Sequence, residues 1–354
     1  MNDNNNNVNY SKKTRQSGVE LLRIISMLLV LLIHANQWNE KWHSLNLNDL
    51  FNTSTTTIFL QSLSCVCVNV FVLISGWFGI KFSIRRLAKF VFQCMFFFTL
   101  LYLLSLLFGF KSLSIRGIMD CFLFNDMNWF IRAYIMLFII SPILNAFVEK
   151  ANKSELEITL IFFFAFQIIY GWATPAAKFI EWGLSVTSFV GLYLLAQYIR
   201  RHQYKLMLVN RGGGIALAYI LSTLFLFGVA MISAYLKINY LTGKIFAYTS
   251  PIVIVNSLLL LLTFVNIDRH GFVNPVINKI AASSFAAYLL HHNSIIMEDY
   301  YQKICWNFWE HHYYAYIPLV LVFITLVFSI SVIIDQVRIF CWNKIEPILN
   351  KYLK

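Results

Sequence analysis

Residues Gly18 to Trp38 read GVELLRIISMLLVLLIHANQW, and this stretch decides the fold. At 1.5 Å per residue it is long enough to cross a bilayer core of about 30 Å, and most of its residues are apolar. It therefore predicts a transmembrane helix. Glu20, Arg23 and His34 interrupt the apolar pattern, and each of these side chains opposes insertion into lipid.

The spacing of these three residues places them on one stripe of the helix. Arg23 and His34 are separated by about three helical turns, so they face the same way, roughly 16 Å apart along the axis. Glu20 lies three residues before Arg23 and is its neighbour on the helix surface. Ionisable groups within a membrane helix face protein or a water-filled cavity. We therefore expect the stripe to face the interior of a helix bundle.

Composition defines the broad class of protein. Hydrophobic residues make up 59% of the chain and charged residues only 12%, whereas about a quarter of a soluble domain is charged. The net charge of +12 is spread between apolar runs instead of forming one basic patch, which argues against a nucleic-acid partner. The sequence predicts an integral membrane protein surrounded by lipid.

Ten apolar runs predict an all-α integral membrane protein with about ten transmembrane helices: 18–38, 57–80, 87–109, 129–148, 156–172, 183–199, 215–236, 246–265, 283–298 and 315–335. Lys and Arg concentrate in alternate connecting segments, which places both the N- and C-termini in the cytoplasm. We divide the chain into a disordered polar and basic tail (1–17), a single transmembrane domain (18–336) and a basic cytoplasmic tail (337–354). Cys121 and Cys305 fall in segments expected outside, which leaves a disulfide bridge open. No spacing typical of a metal site appears.

Several short motifs resemble those of the membrane-bound acyltransferase-3 family, many of whose members O-acetylate surface polysaccharides. The first is the acidic-x-x-Arg-x10-His pattern formed by Glu20, Arg23 and His34. The others follow in the family's order, with Lys89 standing where the family has a second Arg: Phe71-x-x-x-Ser75-Gly76-Trp77, the basic run Arg85-Arg86-x-x-Lys89, Trp129-Phe130 and Tyr288-Leu289-Leu290-His291. The resemblance covers nearly the whole chain.

The resemblance implies roles for these residues. His34 would be catalytic, as a general base or a transient acyl carrier, because an imidazole suits proton transfer near neutral pH. Arg23 and Glu20, on the same stripe of the helix, would belong to the same catalytic group. A second group would bind the nucleotide end of acyl-CoA: Arg85, Arg86, Lys89, Ser75 and Gly76. A third would face the acceptor, along the stripe of the ninth predicted helix and at the start of the fourth: Trp129, Tyr288, His291 and Glu298.

Structural interpretations remain open for several of these residues. Arg23 could simply pair with Glu20, and the basic run could be topological charge. Ser75 and Gly76 could serve helix packing, because small residues let membrane helices approach closely.

The favoured hypothesis is a multi-pass enzyme of the bacterial inner membrane. It would transfer an acetyl or other short acyl group from acyl-CoA, as co-substrate without a tightly bound cofactor, to a cell-surface glycan or its lipid-linked sugar precursor. The alternative is a transporter or exporter of a polar metabolite or glycan intermediate, which also needs ionisable groups inside helices. A membrane scaffold is disfavoured, because it gives no reason for three titratable groups in register. A homo-oligomer remains open.

Overall fold

The structure, a computed structural model, describes residues 17–36, 53–123, 128–174, 177, 179–203, 212–269, 271–293 and 295–352. These residues form helices and connecting turns, and no strand occurs within them. In chain order the α-helices are α1 (Gly18–Asn36), α2 (Thr53–Ser64), α3 (Cys67–Phe78), α4 (Ile84–Leu107), α5 (Ile115–Cys121), α6 (Trp129–Lys150), α7 (Lys153–Ile168), α8 (Val186–Tyr198), α9 (Gly212–Tyr235), α10 (Asn239–Lys244), α11 (Pro251–Arg269), α12 (Pro275–Ser283), α13 (Phe285–His291), α14 (Gln302–His311) and α15 (Tyr316–Tyr352).

Eight helices in the described part of the chain are long and apolar enough to cross a membrane. They are α1, α4, α6, α9 and α15, the joined pair α2–α3, α7 with its π-helical extension to Ala173, and α11. The all-α membrane class is therefore confirmed. Two of the predicted spans are shorter: 183–199 contains the 13-residue α8, and 283–298 is divided among several short helices. The count of ten and the cytoplasmic termini stay predictions.

The ninth predicted span is a broken helix. Asn274 caps α12, since its side-chain oxygen accepts the backbone N–H groups of Val276 and Ile277, and Pro275 occupies the first turn. The chain turns at Ser284, forms α13, and continues after His292 into a π-helical turn over Ile295–Tyr301. This break places the end of α13 against the middle of the bundle.

Helix α1 lies at the centre of the bundle. It packs against α2, α3 and every helix from α11 to α15. Its N-terminus is held by Asp268 of α11, whose carboxylate accepts the backbone N–H groups of Gly18 and, at 3.0 Å, Val19. A Cβ atom at position 18 would lie 2.6 Å from the Phe264 carbonyl oxygen, so a glycine is needed there. A carboxylate at the N-terminus of a helix accepts hydrogen bonds from the free backbone N–H groups and interacts favourably with the positive end of the helix dipole.

Helix α15 runs for 37 residues, well past the predicted domain boundary at residue 336. Arg338, assigned from sequence to the cytoplasmic tail, is only 2% exposed, and Trp342 is 1% exposed. Residues 337–352 thus continue α15, which packs against α4, α12 and α13.

The cysteines expected outside are both reduced. Cys121 and Cys305 are buried free thiols in the structure, and the bridge between them is not formed. Burial raises the pKa of the Cys121 thiol above its usual value.

Candidate active site

Two histidines from distant parts of the chain meet inside the bundle. His34 Nδ1 lies 2.7 Å from His291 Nε2, so α1 and α13 are joined by a hydrogen bond between their rings. His291 is fully buried, and its Nδ1 lies 2.6 Å from the carbonyl oxygen of Ala287, one turn earlier on α13. The residue expected to contact the acceptor is therefore in contact with the predicted catalytic imidazole.

This chain of hydrogen bonds fixes the proton positions on both rings. A carbonyl oxygen only accepts, so Nδ1 of His291 carries a proton. A fully buried imidazole without a counter-ion is neutral, because an unpaired charge is costly to bury. His291 Nε2 is then an acceptor, and His34 Nδ1 donates to it. The remaining nitrogen, His34 Nε2, is left with a free lone pair, as a general base requires.

A small cavity of about 40 Å³ adjoins His34. Its walls are mostly aromatic and include Trp129, Phe130, Tyr288 and the imidazole of His292, the residue after His291. The His34 and His292 rings lie 5.1 Å apart between centroids. Largely apolar walls beside a base lower the local dielectric constant and strengthen electrostatic interactions there.

Glu20 and Arg23 form the expected ion pair nearer the start of α1. Arg23 Nη1 lies 3.3 Å from both carboxylate oxygens of Glu20, which is 3% exposed. The Arg23 guanidinium also lies over the Phe78 ring, 5.8 Å from the ring centroid. The Arg23 side chain is 30% exposed. The continuous helix confirms the register of Arg23 with His34.

The residues expected to bind CoA occupy two different environments. Ser75 donates to the Phe71 carbonyl oxygen at 3.0 Å and lies 3.1 Å from the Tyr134 hydroxyl. A Cβ at Gly76 would lie 2.5 Å from the Tyr193 carbonyl oxygen, so Gly76 allows α3 and α8 to pack closely. The basic residues, in contrast, are exposed on the first turns of α4: Arg85, Arg86 and Lys89. Arg85 forms an ion pair with Glu346 of α15.

The residues expected to face the acceptor are brought together only in part. Trp129 and Tyr288 line the cavity beside His34, and His291 lies directly behind it. The side chain of Glu298 lies outside what the structure describes.

Two features of the interior are not indicated by the sequence motifs. The motifs assign no role to His292, the residue after His291, yet it lines the cavity. The buried pair Asp335–Arg338 was also missed, and its spacing of three residues at the end of an apolar run was the available signal. Among the described residues, no group of three or more His, Cys, Asp or Glu side chains is placed to hold a metal ion.

Comparison with known proteins gives the class. A family model described as "Acyltransferase domain", that of the acyltransferase-3 family, matches residues 16–336. The chain belongs to this family, and with its long apolar helices it is a multi-pass membrane acyltransferase. No curated protein and no solved structure matches it.

Proposed function

We propose that the protein is an O-acyltransferase that moves an acetyl or other short acyl group from cytoplasmic acyl-CoA to a hydroxyl of a cell-surface glycan or its lipid-linked precursor, in the bacterial inner membrane. The observation that carries this proposal is the chain from Ala287 through His291 to His34. It prepares one imidazole nitrogen as a base beside a largely apolar cavity, inside a chain whose family transfers acyl groups.

In the proposed reaction, His34 Nε2 takes the proton from the acceptor hydroxyl. The acceptor oxygen attacks the thioester carbonyl carbon, and a new C–O bond forms. Collapse of the tetrahedral intermediate breaks the C–S bond, and the CoA thiolate takes the proton back from His34. His291 contacts His34 through its Nε2 and acts as a positioning residue, because it fixes the tautomer and the ring orientation of His34.

The donor is a co-substrate whose phosphates we place near the start of α1 and α4. Arg23 lies roughly 16 Å from His34 along the helix, so a slender pantetheine arm would have to join the two regions. Arg23 retains exposure and presents planar donors suited to phosphate oxygens. Arg85, Arg86 and Lys89 would add charge at the same end, with Ser75 and Gly76 shaping the helix contact nearby. Trp129 would contact the acceptor.

The test is transfer of labelled acetyl from acetyl-CoA in proteoliposomes that carry the full-length protein and membrane glycans from the bacterium that naturally makes it. His34→Ala should abolish transfer with normal membrane insertion. The control is His312→Ala, which removes an exposed histidine and should leave transfer unchanged. Parental transfer by His34→Ala would contradict the proposal.

The transporter hypothesis predicts a different response at the same position. Gln can replace a histidine that only packs or donates a hydrogen bond, but it cannot accept and return a proton. His34→Gln should therefore be inactive in an acyltransferase. A functional His34→Gln variant would favour transport.

A further inference from the structure

Tyr288 carries a buried hydroxyl that no described residue satisfies. The residue is 6% exposed, and its hydroxyl oxygen has no hydrogen-bond partner among the residues that the structure describes. Leaving a buried polar group unpaired costs free energy, so such groups in folded proteins call for an explanation. Tyr288 is one of the residues that line the same cavity as His34, so its side chain belongs to the proposed site of acyl transfer.

The Tyr288 ring is held rigidly by other rings. It stacks on the rings of Phe285 and His292, with centroids 5.5 Å and 4.8 Å away, and it packs edge to face with Phe130 at a centroid distance of 5.8 Å. His292 in turn lies 5.1 Å from His34, between ring centroids. A side chain fixed in this way presents its hydroxyl in one direction without further loss of conformational freedom.

The cavity contains a second tyrosine, but its hydroxyl is already used. The Tyr248 hydroxyl has the Cys67 thiol as a nearby hydrogen-bonding partner. Tyr288 is therefore the cavity tyrosine whose O–H is available to a reacting group.

We propose that Tyr288 is a catalytic residue that donates its O–H to the oxyanion formed during acyl transfer. The inference rests on the proposed function. When the acceptor oxygen attacks the thioester carbon and His34 Nε2 takes its proton, the carbonyl electron pair moves onto the carbonyl oxygen. Tyr288 Oη donates a hydrogen bond to that oxygen and keeps its own proton. Collapse returns the pair to the C=O bond and expels the CoA thiolate, which takes the proton from His34.

The test is Tyr288→Phe in the full-length protein, reconstituted into proteoliposomes and assayed with acetyl-CoA. Phenylalanine keeps the ring contacts, so the variant should insert normally. Loss of one oxyanion donor should lower kcat roughly 100- to 1,000-fold. KM for acetyl-CoA should not change, because the hydrogen bond strengthens only in the transition state.

The matched control is Tyr193→Phe, which removes another buried tyrosine hydroxyl. Tyr193 donates to Asn145 Oδ1 at 2.7 Å and accepts from the Ile80 N–H at 2.8 Å. Tyr193→Phe should unfold at a lower temperature with an unchanged kcat. Comparing it with Tyr288→Phe therefore separates a loss of stability from a loss of catalytic rate.

A second measurement replaces Tyr288 with fluorotyrosines, which keep the shape of the ring and make the phenol a stronger donor. The proposal requires kcat to change with phenol acidity, whereas a packing role leaves it constant. Parental kcat in Tyr288→Phe, with His34→Ala inactive, would overturn the inference and leave the proposed function standing. Parental kcat in both variants would instead remove the proposed function itself.

Discussion

Arg338 and Asp335 form a buried ion pair within α15. Arg338 Nη2 donates to Asp335 Oδ2 at 2.6 Å and Nε donates to Oδ1 at 2.9 Å, with both side chains almost wholly excluded from the surface. Gln93 of α4 adds a third donor to the same carboxylate at 3.1 Å. The two charges therefore compensate each other and connect α15 to α4.

Removal of one partner should be far more damaging than removal of both. Arg338→Met leaves the Asp335 carboxylate buried without a counter-ion, at a cost of about 3 to 5 kcal/mol of unfolding free energy. The double variant Asp335→Leu with Arg338→Met should recover most of this loss. Thermal unfolding of the purified proteins in detergent measures both, and equal destabilisation of the single and double variants would contradict compensation.

The carboxylate of Asp268 should stabilise α1. Asp268→Ala removes the acceptor for the Gly18 and Val19 N–H groups, and loss of such a cap costs about 1 kcal/mol. Asp268→Asn keeps one acceptor oxygen and should be intermediate. Glu310→Ala removes an exposed carboxylate and is the control in the same unfolding assay. If Asp268→Ala unfolded no earlier than Glu310→Ala, the cap would have no energetic role.

Arg23 should act on donor binding. Arg23→Ala should raise KM for acetyl-CoA with kcat nearly constant, because a contact equally strong in ground and transition states affects only KM. Arg23→Lys should recover part of the effect, since a point charge replaces a planar fork. Initial rates at varied acetyl-CoA concentration measure KM and kcat for each variant. A fall in kcat alone would place Arg23 in the chemical step.

The size of the cavity should limit the length of the acyl chain. A cavity of about 40 Å³ has room for roughly three water-sized groups, the size of an acetyl group. Acetyl-CoA should therefore be used faster than butyryl-CoA. Met27→Ala removes side-chain atoms from the cavity wall and should raise the butyryl-to-acetyl rate ratio. Met136→Ala, on the exposed side of α6, should leave the ratio unchanged. If Met27→Ala left the butyryl-to-acetyl rate ratio unchanged, this cavity would not select the length of the acyl chain.

Membrane orientation can be tested at two points. A reporter fused after Lys354 should report the cytoplasm, and one inserted at Ser112, in the exposed turn between α4 and α5, should report the outside. Both reporters on one side would contradict the orientation derived from the basic residues.

The central helix could be predicted from sequence because its signal is local. An apolar run, a fixed residue rise and the register of Arg23 with His34 are all properties of one helix. The contact between His34 and His291 could not be predicted in this way, because it joins residues far apart in the chain. It also depends on the break between α12 and α13, where Ser283 and Ser284 reduce the apolar character of the predicted span.

The buried pair in α15 shows a second limit. Counting basic residues assigns Arg338 to the cytoplasm because it follows the last apolar run. The helix nevertheless continues past it, and Asp335 supplies the partner that makes burial of a guanidinium tolerable. Whether such a pair is buried is decided by packing against α4, which no local pattern reveals.

The length of α15 also makes it a useful attachment point. A helix of 37 residues extends about 55 Å, compared with a hydrocarbon core of about 30 Å. Its far part is held to α4 by the pair between Arg85 and Glu346, directly before Pro347. A helical fusion partner joined in register ahead of that proline would be held at a defined angle to the bundle. Such a rigid fiducial would give particle images of this small membrane enzyme a feature by which to align them.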